Sequence, residues 1–107
     1  MATTVAGTIL QQMGGVGRLV AMVNARNFIS YSRGECLTRD SGGGVRFRFS
    51  GSHQYNHVII SLAADDTYTV VFGKMGKQWI QDEPETGIYC DQLTAVFEEK
   101  TGLRLRL

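Results

Sequence analysis

Residues 45–49 carry the clearest polarity pattern in the chain, with Val45, Phe47 and Phe49 alternating with Arg46, Arg48 and then Ser50. A period of two sends successive side chains to opposite sides of an extended backbone, so the segment predicts a strand with one apolar face and one face bearing two guanidinium groups. His57–Leu62 and Thr67–Phe72 are also strand-like and flank Ala63-Ala64-Asp65-Asp66, a short polar link suited to an antiparallel hairpin. In that hairpin Val58, Ile60 and Leu62 share the core face with Tyr68, Val70 and Phe72. Phe28–Tyr31 predicts a further short strand. Residues 32–44, with Gly34 and the run Gly42-Gly43-Gly44, predict a mobile loop. Gly73 and Gly76, with Lys74 and Lys77, mark the hairpin's exit, after which Trp79-Ile80 either extends the sheet or plugs the core edge.

Helical periodicity holds at the two ends. Val5, Ile9, Leu10 and Met13 recur at helical spacing, predicting a helix over 4–13 capped by Thr3 or Thr4 and ended by Gly14-Gly15. Leu19, Val20, Met22 and Val23 predict a short second helix that stops near Asn24. Pro84 disfavours helix at Glu83, so the last helix is expected from Ile88 or Tyr89 to about Thr101, before Gly102. Its apolar stripe is Leu93, Val96 and Phe97, with Glu98, Glu99 and Lys100 facing water. Leu103–Leu107 alternates again and fits a strand at the sheet edge or a packed extended tail equally well. Helices, then consecutive strands, then a helix predict an α+β fold: an antiparallel meander of three to five strands, with two N-terminal helices and one C-terminal helix on one face.

Length and composition set limits on this picture. A chain of 107 residues with 43% hydrophobic residues and net charge +1 is of single-domain size and is not a disordered, collagen-like or coiled-coil sequence. The N-terminus lacks a basic, export-type segment and no apolar run approaches membrane-spanning length, so a cytosolic location is expected. Cys36 and Cys90 stand alone without a CxxC, which argues against a zinc ribbon, a thioredoxin-like motif or a disulfide framework.

Charge is distributed unevenly. Six arginines (Arg18, Arg26, Arg33, Arg39, Arg46, Arg48) against Glu35 and Asp40 leave residues 1–60 at +4, while eight carboxylates against five cations leave 61–107 at −3. Arginine suits bidentate recognition of phosphate or carboxylate, so an Arg-bearing sheet face near Tyr31 and Tyr55 admits nucleic-acid binding. An ordinary solvated strand face is the plainer reading, and a pI near 7.8 lies below the range of about 9 and above that nucleic-acid binders usually show. The acidic set Asp82, Glu83, Glu85, Asp91, Glu98 and Glu99 has the same two readings, docking patch or solvated helix face.

Catalytic and ligand motifs are absent from the sequence. His53 and His57 are four apart, but their segment is not helical in pattern, and in an extended chain they stand about 13 Å apart, too far to share an ion. Gly14-Gly15-Val16-Gly17-Arg18 fails both phosphate-loop patterns. Asp65-Asp66 and Asp82-Glu83 are neighbouring carboxylates rather than convergent ones, and no nucleophile motif accompanies either histidine. No enzymatic activity, cofactor or metal is expected, and Phe28, Phe47, Phe49, Tyr68, Phe72, Trp79 and Phe97 read as core.

Five segments taken in order (residues 8–15, 25–28, 45–49, 65–70 and 87–93, leading to Phe97 and Thr101-Gly102-Leu103) resemble small proteins encoded by bacteriophages and other mobile elements. The resemblance carries no site residues. It implies a stand-alone accessory or anti-defence factor, an anti-CRISPR type of inhibitor among them, acting by stoichiometric binding to a host or defence-system protein. The surfaces expected to serve are the Arg-bearing sheet face, the 32–44 loop and the acidic C-terminal helix, with Arg46, Arg48, Tyr31, Arg33 and Arg39 as candidate partner-binding residues. The alternative is a nucleic-acid-binding accessory protein using the same arginines. Self-association through the sheet edge, or through exposed Ile59 and Val71, fits either reading.

Overall fold

The computed structural model describes residues 5–105. The expected Thr3 or Thr4 cap and the last two residues of the alternating tail lie outside them. Two helices, α1 (Val5–Gln12) and α2 (Val16–Val23), precede six strands: β1 (Arg26–Tyr31), β2 (Gly44–Arg48), β3 (His57–Leu62), β4 (Tyr68–Met75), β5 (Trp79–Gln81) and β6 (Glu85–Ile88). A 3-10 turn over Cys90–Gln92 leads into α3 (Leu93–Thr101). The fold is α+β, and every strand pairing is antiparallel.

Strand order is β1-β2-β3-β4, and the far edge of β4 is shared. Its C-terminal part, Gly73–Met75, pairs with β5, while Tyr68 and Val70 pair with β6. Pro84 falls between these two short strands, where its missing N–H breaks no ladder. The β3–β4 hairpin puts the expected residues on one face, with Val58 opposite Phe72, Ile60 opposite Val70 and Leu62 opposite Tyr68. Its link closes through Ala63 N–H to the Thr67 carbonyl at 2.8 Å. Asp65 Oδ1 accepts from both the backbone N–H and the hydroxyl of Thr67.

One face of the sheet meets all three helices. Phe47 is fully buried and lies 5.3 Å from Phe28, 6.4 Å from Phe49 and 6.3 Å from Phe97, measured between ring centroids. Phe97, from α3, also reaches Phe49 at 5.0 Å and Phe72 at 6.1 Å, so one helix residue ties two strands together. Ile9, Leu10 and Met13 of α1 and its C-terminal turn, Leu19 and Val23 of α2, and Leu93 of α3 complete this cluster. Asn24 in the left-handed region ends α2, and Gly102 ends α3 in the same way. Beyond α3, residues 102–105 form no strand. Leu105 is fully buried as a packed tail, its N–H donating to Glu98 Oε2 at 2.8 Å.

Four sequence expectations need correction. The sheet reaches six strands with the short β6, which shows no apolar alternation, and Ile88 belongs to that strand rather than to the last helix. β4 runs through Gly73 to Met75 instead of leaving the sheet there. Lys100 is half-buried rather than turned to water, held by Asp82 at 3.6 Å and Glu85 at 3.3 Å. Residues 32–43 are folded onto the sheet, with Gly42 N–H bonded to the Leu62 carbonyl and Leu62 N–H to the Gly43 carbonyl.

Candidate functional site

Among the described residues no helix lies over the sheet's second face. Antiparallel register sets Arg26, Arg48, His57, Gly73 and Gln81 in one row across it, and Ile29, Arg46, Ile59 and Val71 in the next. Residues directly opposite one another across an antiparallel pair share a face and are close neighbours. The alternation that buries Phe47 therefore gathers arginines from two strands beside one histidine.

Trp79 closes this cluster at the β5 end. A Cβ on Gly73 would stand 2.3 Å from the indole ring, so glycine is what lets the ring lie against the backbone of β4. The ring meets His57 edge to face, with centroids 5.5 Å apart at 88°, and the Arg46 guanidinium carbon sits 5.2 Å from its centroid. That distance is within the range of a cation–π contact. Val71 is buried, yet lies outside the helix-covered core. Trp79 is thus an outer-face residue rather than core, and Val71 is not an exposed apolar residue, both contrary to the sequence expectation.

Hydrogen bonding fixes the state of His57. Asn56 Nδ2 donates to the Met75 carbonyl at 3.1 Å and Asn56 Oδ1 accepts from Met75 N–H at 2.8 Å, which orients the amide. His57 Nδ1 lies 2.6 Å from that same Oδ1, so Nδ1 carries the proton. In the neutral ring Nε2 is then a bare lone pair. Burial, followed by the positive charges of Arg46, Arg48 and Arg26, pushes the imidazole pKa below its ordinary value and keeps the ring neutral.

The arginines are not charge-compensated. Among the described residues none of Arg26, Arg46 and Arg48 has a carboxylate within ion-pair distance, whereas Lys100 has two. Arg26 Nη1 donates to the Asn24 carbonyl at 3.1 Å and to Ser50 Oγ at 3.0 Å. Arg48 Nε is enclosed and has no hydrogen-bond partner among the described residues. Guanidinium groups concentrated without a counter-charge attract an anion, and their planar forks suit carboxylate or phosphate. Apolar surface borders them, Ile29 being 46% exposed.

Of the five residues nominated from sequence, Arg46 and Arg48 join this cluster and three do not. Tyr31 pairs with Gly44 at the other end of the sheet, about 13 Å along the strand from the Arg48 row at 3.3 Å per residue. That end is covered by the 32–43 segment: Ser61 Oγ donates to the Cys36 carbonyl at 2.9 Å, and Cys36 Sγ lies against Gly44. Burial raises the pKa of the Cys36 thiol, and both cysteines are free. Arg33 lines a separate open groove of about 370 Å³ with Asp40 and Asp66, and Arg39 is exposed in the loop. Tyr55 is not beside the basic face. It is buried against Phe72, and its hydroxyl donates to Asp82.

Arg26, His57 and Trp79 escaped the sequence reading. Strand alternation alone nominates His57 for the face opposite Val58, but its pairing with His53 drew attention to metal binding. Among the described residues no three His, Cys, Asp or Glu side chains come together, and no helix is long and apolar enough to cross a membrane. Comparison with protein-family models, with curated proteins and with solved structures gives no match.

Proposed function

We propose that the chain is a non-enzymatic binding protein whose uncovered sheet face docks an acidic protein surface. The observation that carries this reading is the set Arg26, Arg46 and Arg48 around His57 with no carboxylate among the described residues to balance it. Arginine and tryptophan bordered by apolar side chains have the composition of an interface hot spot, and Ile29 and Ile59 supply the apolar part. The resemblance to phage and mobile-element proteins makes a host or defence-system protein the partner, with stoichiometric inhibition, as by an anti-CRISPR protein, the mode of action.

Nucleic acid is the weaker ligand for this face. A strand of bases needs free aromatic platforms, whereas Arg46 occupies a face of Trp79 and Tyr55 is buried. A phosphate chain crossing β5 would also meet Asp82 and Glu83, which follow Gln81 directly.

The test compares proteins captured from a bacterial host lysate by the wild-type chain, by R46E/R48E and by R33E/R39E. A stoichiometric partner held by wild type and R33E/R39E and lost by R46E/R48E is expected. The same partner retained by R46E/R48E overturns the assignment. Retention of nucleic acid, with affinity falling steeply as salt rises, returns the alternative.

A further inference from the structure

We infer that carboxylate capture on this face is proton-coupled: an Asp or Glu side chain of the partner, set between the Arg48 guanidinium and His57 Nε2, draws a solvent proton onto His57 as it binds. The inference rests on the docking face proposed above and adds its regulation.

The tautomer carries the first step. With Nδ1–H committed to Asn56 Oδ1, and Asn56 itself held by both backbone groups of Met75, neutral His57 offers only a lone pair at Nε2. A lone pair repels an arriving carboxylate oxygen, and a proton on Nε2 turns that repulsion into a charge-assisted hydrogen bond. Asn56 remains the acceptor for Nδ1–H in both states, so the ring gains its proton without turning.

The surrounding charges carry the second. Arg26 faces the imidazole from β1, and Arg46 and Arg48 from β2. Gly73 of β4 and Trp79 and Gln81 of β5 border it without charge. Asp82, the next residue, is engaged with Tyr55 and Lys100. Among the described residues His57 therefore feels three positive charges and, before a ligand arrives, no negative one. A bound carboxylate opposes that field with a negative charge of its own. By linkage, a ligand that favours the protonated ring binds more tightly as pH falls, and its binding takes up a proton.

Calorimetric titration of the full chain with a hexaglutamate peptide tests this, in buffers of different ionisation heat between pH 8 and pH 6. Glutamate side chains, with pKa near about 4.3, stay ionised throughout and contribute no uptake of their own. Affinity is expected to rise about tenfold across this range, with uptake approaching one proton, and H57Q should bind with neither the pH dependence nor the uptake. Wild-type binding that is independent of pH and takes up no proton overturns the coupling and leaves the docking face standing. No binding at either pH overturns both. Nitrogen NMR of the wild-type imidazole gives a reading that needs no variant: a neutral Nδ1–H ring in the free chain and an imidazolium in the complex are expected, and a neutral ring in both overturns the coupling.

Discussion

On β2 the side chains of Val45 and Phe47 are enclosed beneath helices, whereas Arg46 and Arg48, each one residue along, face outward with no helix above them. The inner face is closed by a cluster of apolar side chains, and Phe97 reaches three strand-borne or strand-flanking rings. The outer face is held by Trp79 lying on Gly73 and by the 32–43 segment tied to Ser61, with uncompensated arginines between these two ends. One strand thus separates two demands. Residues that stabilise the fold and residues available to a partner alternate along it, so each group can be altered with the other left in place.

The largest difference between the faces should appear in stability. Phe47→Ala removes a fully buried ring and is expected to cost about 3–5 kcal/mol, read by chemical denaturation. Gly73→Ala tests how the outer face is assembled. Its Cβ would sit 2.3 Å from the Trp79 ring, so the indole must leave β4. A loss of about 1–3 kcal/mol with red-shifted tryptophan fluorescence is expected, the chain having a single tryptophan. R46E/R48E should abolish partner binding while changing stability by no more than about 1 kcal/mol, since it touches no core contact. A loss as large as that of Phe47→Ala would erase the distinction between the faces.

Smallest is the pH effect on the free chain. The folded-state pKa of His57 lies below its unfolded value, so the unfolded chain binds more protons and stability falls as pH drops below about 6.5. The decline levels off once pH passes beneath the folded value. H57Q should remove this component of the pH dependence, measured by urea midpoints from pH 8 to pH 5. A component of the same size in H57Q would assign it to another group.

Much of this arrangement was readable from residue order. Period-two alternation in Val45–Phe49 assigns both faces of β2 correctly, and the same alternation puts Val58, Ile60 and Leu62 on one face with Tyr68, Val70 and Phe72. β6 was not readable, because Glu85-Thr86-Gly87-Ile88 pairs through its backbone and shows no apolar alternation. The site was half visible. Arg46 and Arg48 announce themselves by alternation, but Arg26 reaches them through β1–β2 pairing and Trp79 through the β4–β5 turn. Trp79 reads as core by its apolar phase, and only the glycine beneath it shows why it lies outside. Residues 32–43 looked like an open loop because their order comes from bonds to Ser61 and Leu62, which no local pattern records.

The claim that the outer sheet face is the docking surface is tested most directly by titrating the nitrogen-labelled chain with hexaglutamate and following each backbone amide and the Trp79 indole N–H by NMR. Shifts are predicted at Arg26, Arg46, Arg48, His57 and the indole, with α1 and α3 unmoved. Shifts confined to residues 32–43 or to α3, or no shifts anywhere, would contradict it.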